Sequence, residues 1–521
     1  DAIRGKLTSL PGLEVIARGS STPYKKTTKT PQEIAKELDA HYLLTATVRW
    51  QKGAGTSRVQ VTPELVEIRE SGAPASKWQE PFDAALTDVF QVQSDIATRV
   101  AKELGVALGA SEAKGLAEKP TQNLPAYEAF LRGEAATSSL SVSDPPTLRR
   151  GLALYEQAVA LDPNFAEAWA KVSIANSLLY TNSVPTPVLS QNARQAAEKA
   201  IALAPNKAQG YAALGAFRRL ILLDFSGALE LYAKALALSP SDAVGLRGMG
   251  HSESNLGHWD RAIEMFRQAA RVDPRSAGNL TALATALLRT RHAVEARQVF
   301  DRALALTPAS LIMIQGRVMT YLSEGDLAGA RASLQASASH VEPVALISQM
   351  ANYNDLGWVL DESQRDLLLR LTPSAFDDDR GSWGLSLAQA DALKRDAADL
   401  RLHAGEAAKA FEDQLRTAPE DAGLHSLFGV TLAYLGRKDE AIREGQRATL
   451  LLPLSKDAVN GAYYQHQLAR IYILTGELEK ALGQLEPLLN APYYLTPGWL
   501  KIDPNFDPLR GNPRFERLIK G

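Results

Sequence analysis

The sequence predicts a mostly α chain, a solenoid of about ten helix pairs over residues 124–491 behind a small α+β domain over residues 1–107. Three observations predict it. A phrase of the form apolar–x–Pro closes one alanine-rich stretch after another, at Pro163, Pro205, Pro240, Pro274, Pro308, Pro419 and Pro453. Small and aromatic residues recur at fixed offsets before those prolines. Strict alternation of apolar residues is confined to the first part of the chain.

In the first part, HYLLTATVRWQ (41–51) and SRVQVTPELVEI (57–68) alternate and are rich in β-branched residues, with Gly53, Ala54 and Gly55 between them. That pattern predicts a β-hairpin. SKWQEPFD (76–83) reads as a third strand and LEVIAR (13–18) as a further short one, giving a mixed sheet. PQEIAKELDA (31–40) opens with proline, which the first helical turn accepts. TDVFQVQSDIATRVAKEL has an amphipathic period and ends near Leu104, with Asp83 or Thr87 as its cap. Residues 108–123 read as a linker.

From residue 124 the repeat takes over. Pro240, Pro274 and Pro308 are 34 residues apart, as are Pro419 and Pro453. Gly215, Ala228, Tyr232 and Ala235 precede Pro240, and Gly250, Ala262, Phe266 and Ala269 precede Pro274 in the same places. The small residues let two helices of a pair approach, the aromatic fills the space between repeats, and proline ends the second helix. Gly257, Gly325, Gly436 and Gly476 fall in the turn inside a pair, where a left-handed residue is needed. This period and residue pattern resemble the tetratricopeptide repeat (TPR), and the resemblance implies a right-handed superhelix. Pro145 and Pro146 are expected to keep an insertion at 141–147 out of helix, and a similar insertion lies near 182–187. Residues 341–379 are degenerate, although VALISQMANY and ESQRDLLLRL read as helices. Residues 492–521, polar and proline-rich, read as a segment capping the last apolar face.

Composition narrows the function. The chain has 57 basic and 59 acidic residues, a net charge of −2, which gives no electrostatic footprint for nucleic acid or an anionic membrane. Lys25, Lys26 and Lys29 form the one dense basic run, which a solvated loop explains equally. There is no cysteine, so disulfides, thiolate metal sites and a cysteine nucleophile are excluded. No apolar run reaches membrane-spanning length. No phosphate-binding loop, metal-ligand spacing of the eight histidines, or nucleophile elbow occurs. GLRGMG (245–250) lies inside a repeat helix, so its glycines read as close-packing residues. Asn279–Leu280–Thr281, a glycosylation pattern, is likewise inside a helix. No catalytic, cofactor or metal residue is therefore expected, and the chain is read as no enzyme.

A second resemblance joins the first. The run GLEVIARGSS…YKK…IAKELDAHYLLTATVRW…SRVQVTPELVEI…KWQEPFDAALTDVFQVQSDIATRVAKEL resembles the TolB-like amino-terminal domain that accompanies TPR arrays. The family's opening strand and loop, before the helix matching DAIRGKLTSL, are missing, so amino-terminal truncation is expected. The resemblance implies a place downstream of a bacterial serine/threonine kinase or adenylate cyclase domain, neither of whose motifs occurs in this chain. It leans to a periplasmic or otherwise extracytoplasmic site, with the cytoplasm as alternative.

The candidate binding surface is the concave wall of the solenoid, lined in TPR proteins by fixed positions of each pair's first helix. Those positions map to Arg219, Arg247, His251, Gln315, Tyr463, His466 and Arg470, with Asp396 and Asp399 from the eighth pair. The plain alternative is that they are the polar residues of a solvated face. The functional reading is a wall that grips a protein or peptide ligand, since arginine and tyrosine dominate binding hot spots. The chain then serves as a scaffold or sensor region of a larger bacterial signalling protein. A self-assembling structural subunit is the alternative.

Overall fold

A computed structural model describes residues 2–25, 27–51, 58–69, 71–85, 88–137, 145–183 and 185–520. The chain forms two compact units, Asp1–Ser252 with Glu264–Asn279, and Glu253–Ile263 with Leu280–Gly521.

The first unit opens with helix Ala2–Leu7 and, after the expected helix Pro31–Leu38, forms a four-stranded sheet. Strand β1 (Tyr42–Gln51) pairs antiparallel with β2 (Arg58–Glu67), and β3 (Ala75–Gln79) and β4 (Phe82–Ala85) share the other edge of β2. The sheet is wholly antiparallel rather than mixed. The expected third strand is two strands, because Pro81 interrupts it. β4 covers residues 58–61 of β2 and β3 covers 64–67. Pro63 falls in the gap between them, where its missing N–H costs no ladder bond on that side. Val59, Val61, Leu65 and Trp78 pack on the buried face of helix Val89–Glu103. That helix presents Val92, Ile96, Ala97, Val100 and Ala101 at three- and four-residue spacing. Asp88, not Asp83, is its N-cap; Asp83 pairs with Arg58 across the sheet instead. Thr87 and the hairpin turn at 53–55 lie outside the described residues.

Two expectations near this sheet are corrected. Residues 13–17 of LEVIAR join none of the described strands, and Arg18 opens a short helix, Arg18–Ser21; the Ala17 N–H donates to Val272 O in the repeats. The stretch expected as linker contains a helix, Ala110–Ala117, because Leu116 is fully buried in the domain core.

The helix pairs follow. Repeats one to three are Leu124–Thr137 with Pro145–Leu161, Ala166–Asn182 with Pro187–Leu203, and Ala208–Leu220 with Phe225–Leu238. Repeat four is Ala243–Asn255 with Trp259–Val272. Pro145 opens a helix rather than forbidding one, since the first turn has no intrahelical use for its N–H. Repeats five and six span Ala277–Leu306 and Leu311–Ser337. The degenerate stretch holds helices Pro343–Asn352 and Glu362–Leu368, as expected. Three further pairs end at Thr417, Leu451 and Asn490.

The inner logic of the repeat holds in atomic terms. A Cβ placed on Gly248 would lie 2.3 Å from the Tyr232 ring, and one on Gly316 2.3 Å from the Phe300 ring. The aromatic of one repeat thus rests on a glycine of the next. Gly257, Gly325, Gly436 and Gly476 all adopt positive φ, between +75° and +82°.

Candidate functional site

In the first unit, Arg219 closes the first helix of repeat three, while Arg247 and His251 lie one turn apart on the first helix of repeat four. All three are partly exposed. Their surroundings are nevertheless dense enough that burial, then Arg219, lowers the Arg247 pKa. Burial, then Arg219 and Arg247, hold His251 well below the ordinary histidine range. The structure therefore brings these three predicted residues together, two guanidiniums beside a histidine ring that they help to keep neutral.

Their balancing carboxylates are already engaged. Asp242 accepts from the Val244 and Gly245 amides at a helix start, and Asp273 accepts from the Ser20 hydroxyl. Arg247 Nη1 donates to Asn279 Oδ1 at 3.2 Å, and the His251 ring meets Phe266 edge-on at 5.0 Å. The Nε of Arg219 is buried without a hydrogen-bond partner among the described residues. Neither guanidinium forms a salt bridge to a described carboxylate. Leaving a buried donor unpaired costs roughly 1–3 kcal/mol.

In the second unit the same helix positions have another environment. Tyr463, His466 and Arg470 lie on helix Asn460–Leu474. Arg470 is 3% exposed and pairs with Asp355, 6% exposed, at 2.9 Å. The Asp355 carboxylate also accepts from Gln389, Gln467 and the Tyr463 hydroxyl. Burial alone would raise its pKa, but Arg470 keeps it below the usual carboxylate range. His466 stacks on Phe506 and contacts the Tyr493 hydroxyl through Nδ1 at 3.2 Å; burial, then Arg470, pushes its pKa down to about 3. Gln315 donates to Tyr353 O and accepts from Gln349. These four predicted residues are thus held by the chain itself.

The occupant is the carboxy-terminal segment. Tyr493, Tyr494, Trp499 and Phe506 are all buried. Thr496 donates to Ser323 O, and Gly498 backs onto Gly325 so closely that a Cβ at Gly325 would lie 3.1 Å from its carbonyl. The segment expected as a cap is therefore a buried plug within this unit, its apolar residues masked in sequence by prolines and charges. Asp396 and Asp399 do not sit on the first helix of their pair, since Asp396 N-caps the second, Ala397–Thr417. Sequence reasoning missed Asp355, the carboxylate that organises the network. It stands in the degenerate stretch, where no repeat register marks it.

Among the described residues no three His, Cys, Asp or Glu side chains group as metal ligands, and no helix is long and apolar enough to cross a membrane. No protein-family model matches the chain. It is 28% identical over 168 residues to Putative adenylate cyclase 3 of Rhizobium meliloti, a match covering 32% of this chain and 27% of that protein. It is 27% identical over 110 residues to small glutamine-rich tetratricopeptide repeat-containing protein 2 of Mycosarcoma maydis, covering 21% of this chain and 30% of that one. The matches thus span less than a third of either relative. The human IFIT1 dimer with PPP-AAAA aligns over 70% of this chain and 78% of that chain, at 15% identity and a TM-score of 0.38. With the helix pairs, the match to the tetratricopeptide repeat-containing protein supports a TPR-type protein-interaction scaffold.

Proposed function

We propose that this chain is the non-catalytic, ligand-binding region of a larger bacterial signalling protein, in which the wall of repeats three and four receives an anionic group of a protein or peptide. The observation that carries this reading is the cationic pair Arg219 and Arg247 beside the neutral ring of His251, partly exposed and without a salt bridge to a described carboxylate. An arginine pair matches a carboxylate in bidentate fashion, and such charge-assisted bonds contribute roughly 1.5–3 kcal/mol each. The placement beside a cyclase or kinase domain is supported by the TolB-like resemblance of residues 1–107 and by the partial match to a cyclase. On this reading the layout is a TolB-like domain at 1–107, a connection at 108–123, the repeats at 124–491 and the plug at 492–521. The test is capture of a partner by the purified chain, followed by titration against the double variant Arg219→Ala/Arg247→Ala. At least a tenfold loss of affinity with an unchanged melting curve is expected, and equal affinity refutes the assignment of the wall.

A further inference from the structure

Strand β1 forms one side of the sheet, and among the described residues no strand pairs with its outer edge. Its backbone groups alternate in direction. The Ile68 amide donates to His41 O at 2.9 Å, and bonded pairs alternate with non-bonded ones along an antiparallel ladder. The register runs from Tyr42 opposite Glu67 to Gln51 opposite Arg58. The amides and carbonyls of Leu43, Thr45, Thr47, Arg49 and Gln51 therefore face β2, and those of Tyr42, Leu44, Ala46, Val48 and Trp50 face away. Pro63 agrees with this assignment, since it stands opposite Ala46, at a pair that exchanges no bonds. None of the outward-facing residues has a backbone hydrogen bond on that side among the described residues.

The side chains leave the same strip uncovered. Residues directly opposite each other share a face, so Leu44, Ala46 and Val48 lie on the face that carries Val59, Val61 and Leu65. Leu44 packs on that core, but Ala46 and Val48 are exposed, Val48 at 46%. On the other face Thr45, Thr47 and Arg49 are exposed as well. Edge strands are ordinarily blunted by proline, lysine or a bulge. β1 contains no proline or lysine, its register has no shift, and its one charge is Arg49.

The strand is complementary to itself. An antiparallel pair of two β1 strands about a two-fold axis at Ala46 sets Tyr42 opposite Trp50, Leu44 opposite Val48, and Ala46 opposite its own copy. Every outward-facing residue then meets another, and two bonds per pair give about ten between the chains. Moving the axis to Leu44 or Val48 strands outward groups at one end of each chain. In the centred register Leu44 comes beside the exposed Val48 and the small Ala46 sits at the axis. Arg49 falls opposite Leu43, so no like charges meet, an arrangement that would destabilise the pair.

We propose that the open edge of β1 is a self-association surface, through which two copies of this chain join their sheets by an antiparallel β1 pair centred on Ala46. Such an interface is isologous, the usual form of a symmetric dimer, and strand addition draws its affinity from backbone bonds. The inference does not rest on the anionic site of repeats three and four, because the two share no residue.

The test uses the full chain, whose lack of cysteine allows a single thiol to be placed. Its mass is followed by sedimentation equilibrium from about 1 to 100 µM, where weak interfaces dissociate. A monomer–dimer equilibrium is expected. Residue 46 meets itself at the axis, so Ala46→Lys and Ala46→Asp should each weaken the dimer at least about tenfold by like-charge repulsion. An equal mixture of the two should restore it. Ala46→Cys should give a disulfide-linked dimer on mild oxidation, since bonded cross-strand Cα atoms lie about 5.5 Å apart. Thr47→Cys, which faces Thr45 on the other side of the sheet, should not. These positions are exposed, so the melting curves should match that of the unaltered chain. A mass that stays monomeric throughout would give the edge to a different partner. A dimer that both charges leave intact would lie on another surface, and a mixture no stronger than its parts would deny the axis at Ala46. Each of these results overturns the proposal.

Discussion

The first helices of repeats four and ten present arginine and histidine to equivalent walls, yet the two walls are chemically opposite. Arg247 and His251 are partly exposed; Arg247 meets a like charge in Arg219, and both guanidiniums help to keep the His251 ring neutral. Arg470 and His466 are buried, and a carboxylate, two glutamines and three tyrosines close around them. The repeat pattern places a residue on the wall; it does not say what will face it. A buried guanidinium is tolerated only when a partner offsets its lost hydration, so the second wall exists in its form because Asp355 and the carboxy-terminal plug exist. A wall without such a partner remains a surface for something else.

The largest expected effect breaks this comparison at its clearest point. Asp355→Ala leaves Arg470 buried and unpaired, and should destabilise the second unit by about 3–5 kcal/mol. Amide exchange in helix Arg380–Lys394, which supplies Gln389 to the same carboxylate, should rise accordingly. Arg470→Ala should cost a similar amount, and the two losses should not add, because they remove one pair. Small, additive effects would mean that the network is peripheral.

A pH experiment sharpens the comparison. The folded pKa of His466, about 3, lies below the ordinary value of 6.5. The neutral ring is therefore the form that folds. Its contribution is complete above pH 6.5 and is lost as pH falls through the window from 6.5 to 3. At pH 5 the loss amounts to about 2 kcal/mol. His466→Gln should remove that sensitivity, so that the variant gains about 2 kcal/mol on the unaltered chain between pH 7.5 and pH 5, measured by denaturant titration of the second unit. A parallel pH dependence in both proteins would contradict the burial of this ring. His251→Gln should act in the same direction on the first unit, since burial depresses His251 too.

What could be read beforehand divides along physical lines. Periodic features were legible. The 34-residue register marked the helix pairs, the glycines at positive φ, and the aromatic-on-glycine contacts of Tyr232 and Phe300, because each depends on short-range geometry repeated many times. The grouping of Arg219, Arg247 and His251 followed from the same register. Non-periodic contacts were not legible. Nothing near Asp355 distinguishes a buried carboxylate from a loop residue, and Ser20 reaches Asp273 across 253 positions of sequence. LEVIAR alternates as a strand does, but alternation states only that a segment is extended, not which groups take its hydrogen bonds. Pro145 was misread by applying to a first turn the rule for a helix interior.

The smallest expected effect on stability concerns the accessible wall, and it separates a binding surface from a structural one. Arg219 and Arg247 repel each other and form no salt bridge to a described carboxylate, so removing both should change stability by no more than about 0.5 kcal/mol. The contrast with Arg470 is then nearly tenfold in energy for the same residue type on equivalent helix positions. The variant has a second readout. His251 is held down first by burial and then by these two guanidiniums. Deleting the charges removes the second cause and leaves the first, so its pKa should rise while remaining below 6.5. The chain has eight histidines, and the His251 ring signal can be assigned by its loss in His251→Gln and followed by NMR from pH 4 to 8. A rise confirms that the three groups share one field, which a ligand's carboxylate would enter. No rise, with stability unchanged, would place the arginines too far from the ring to act with it, and the wall would then be ordinary solvated surface.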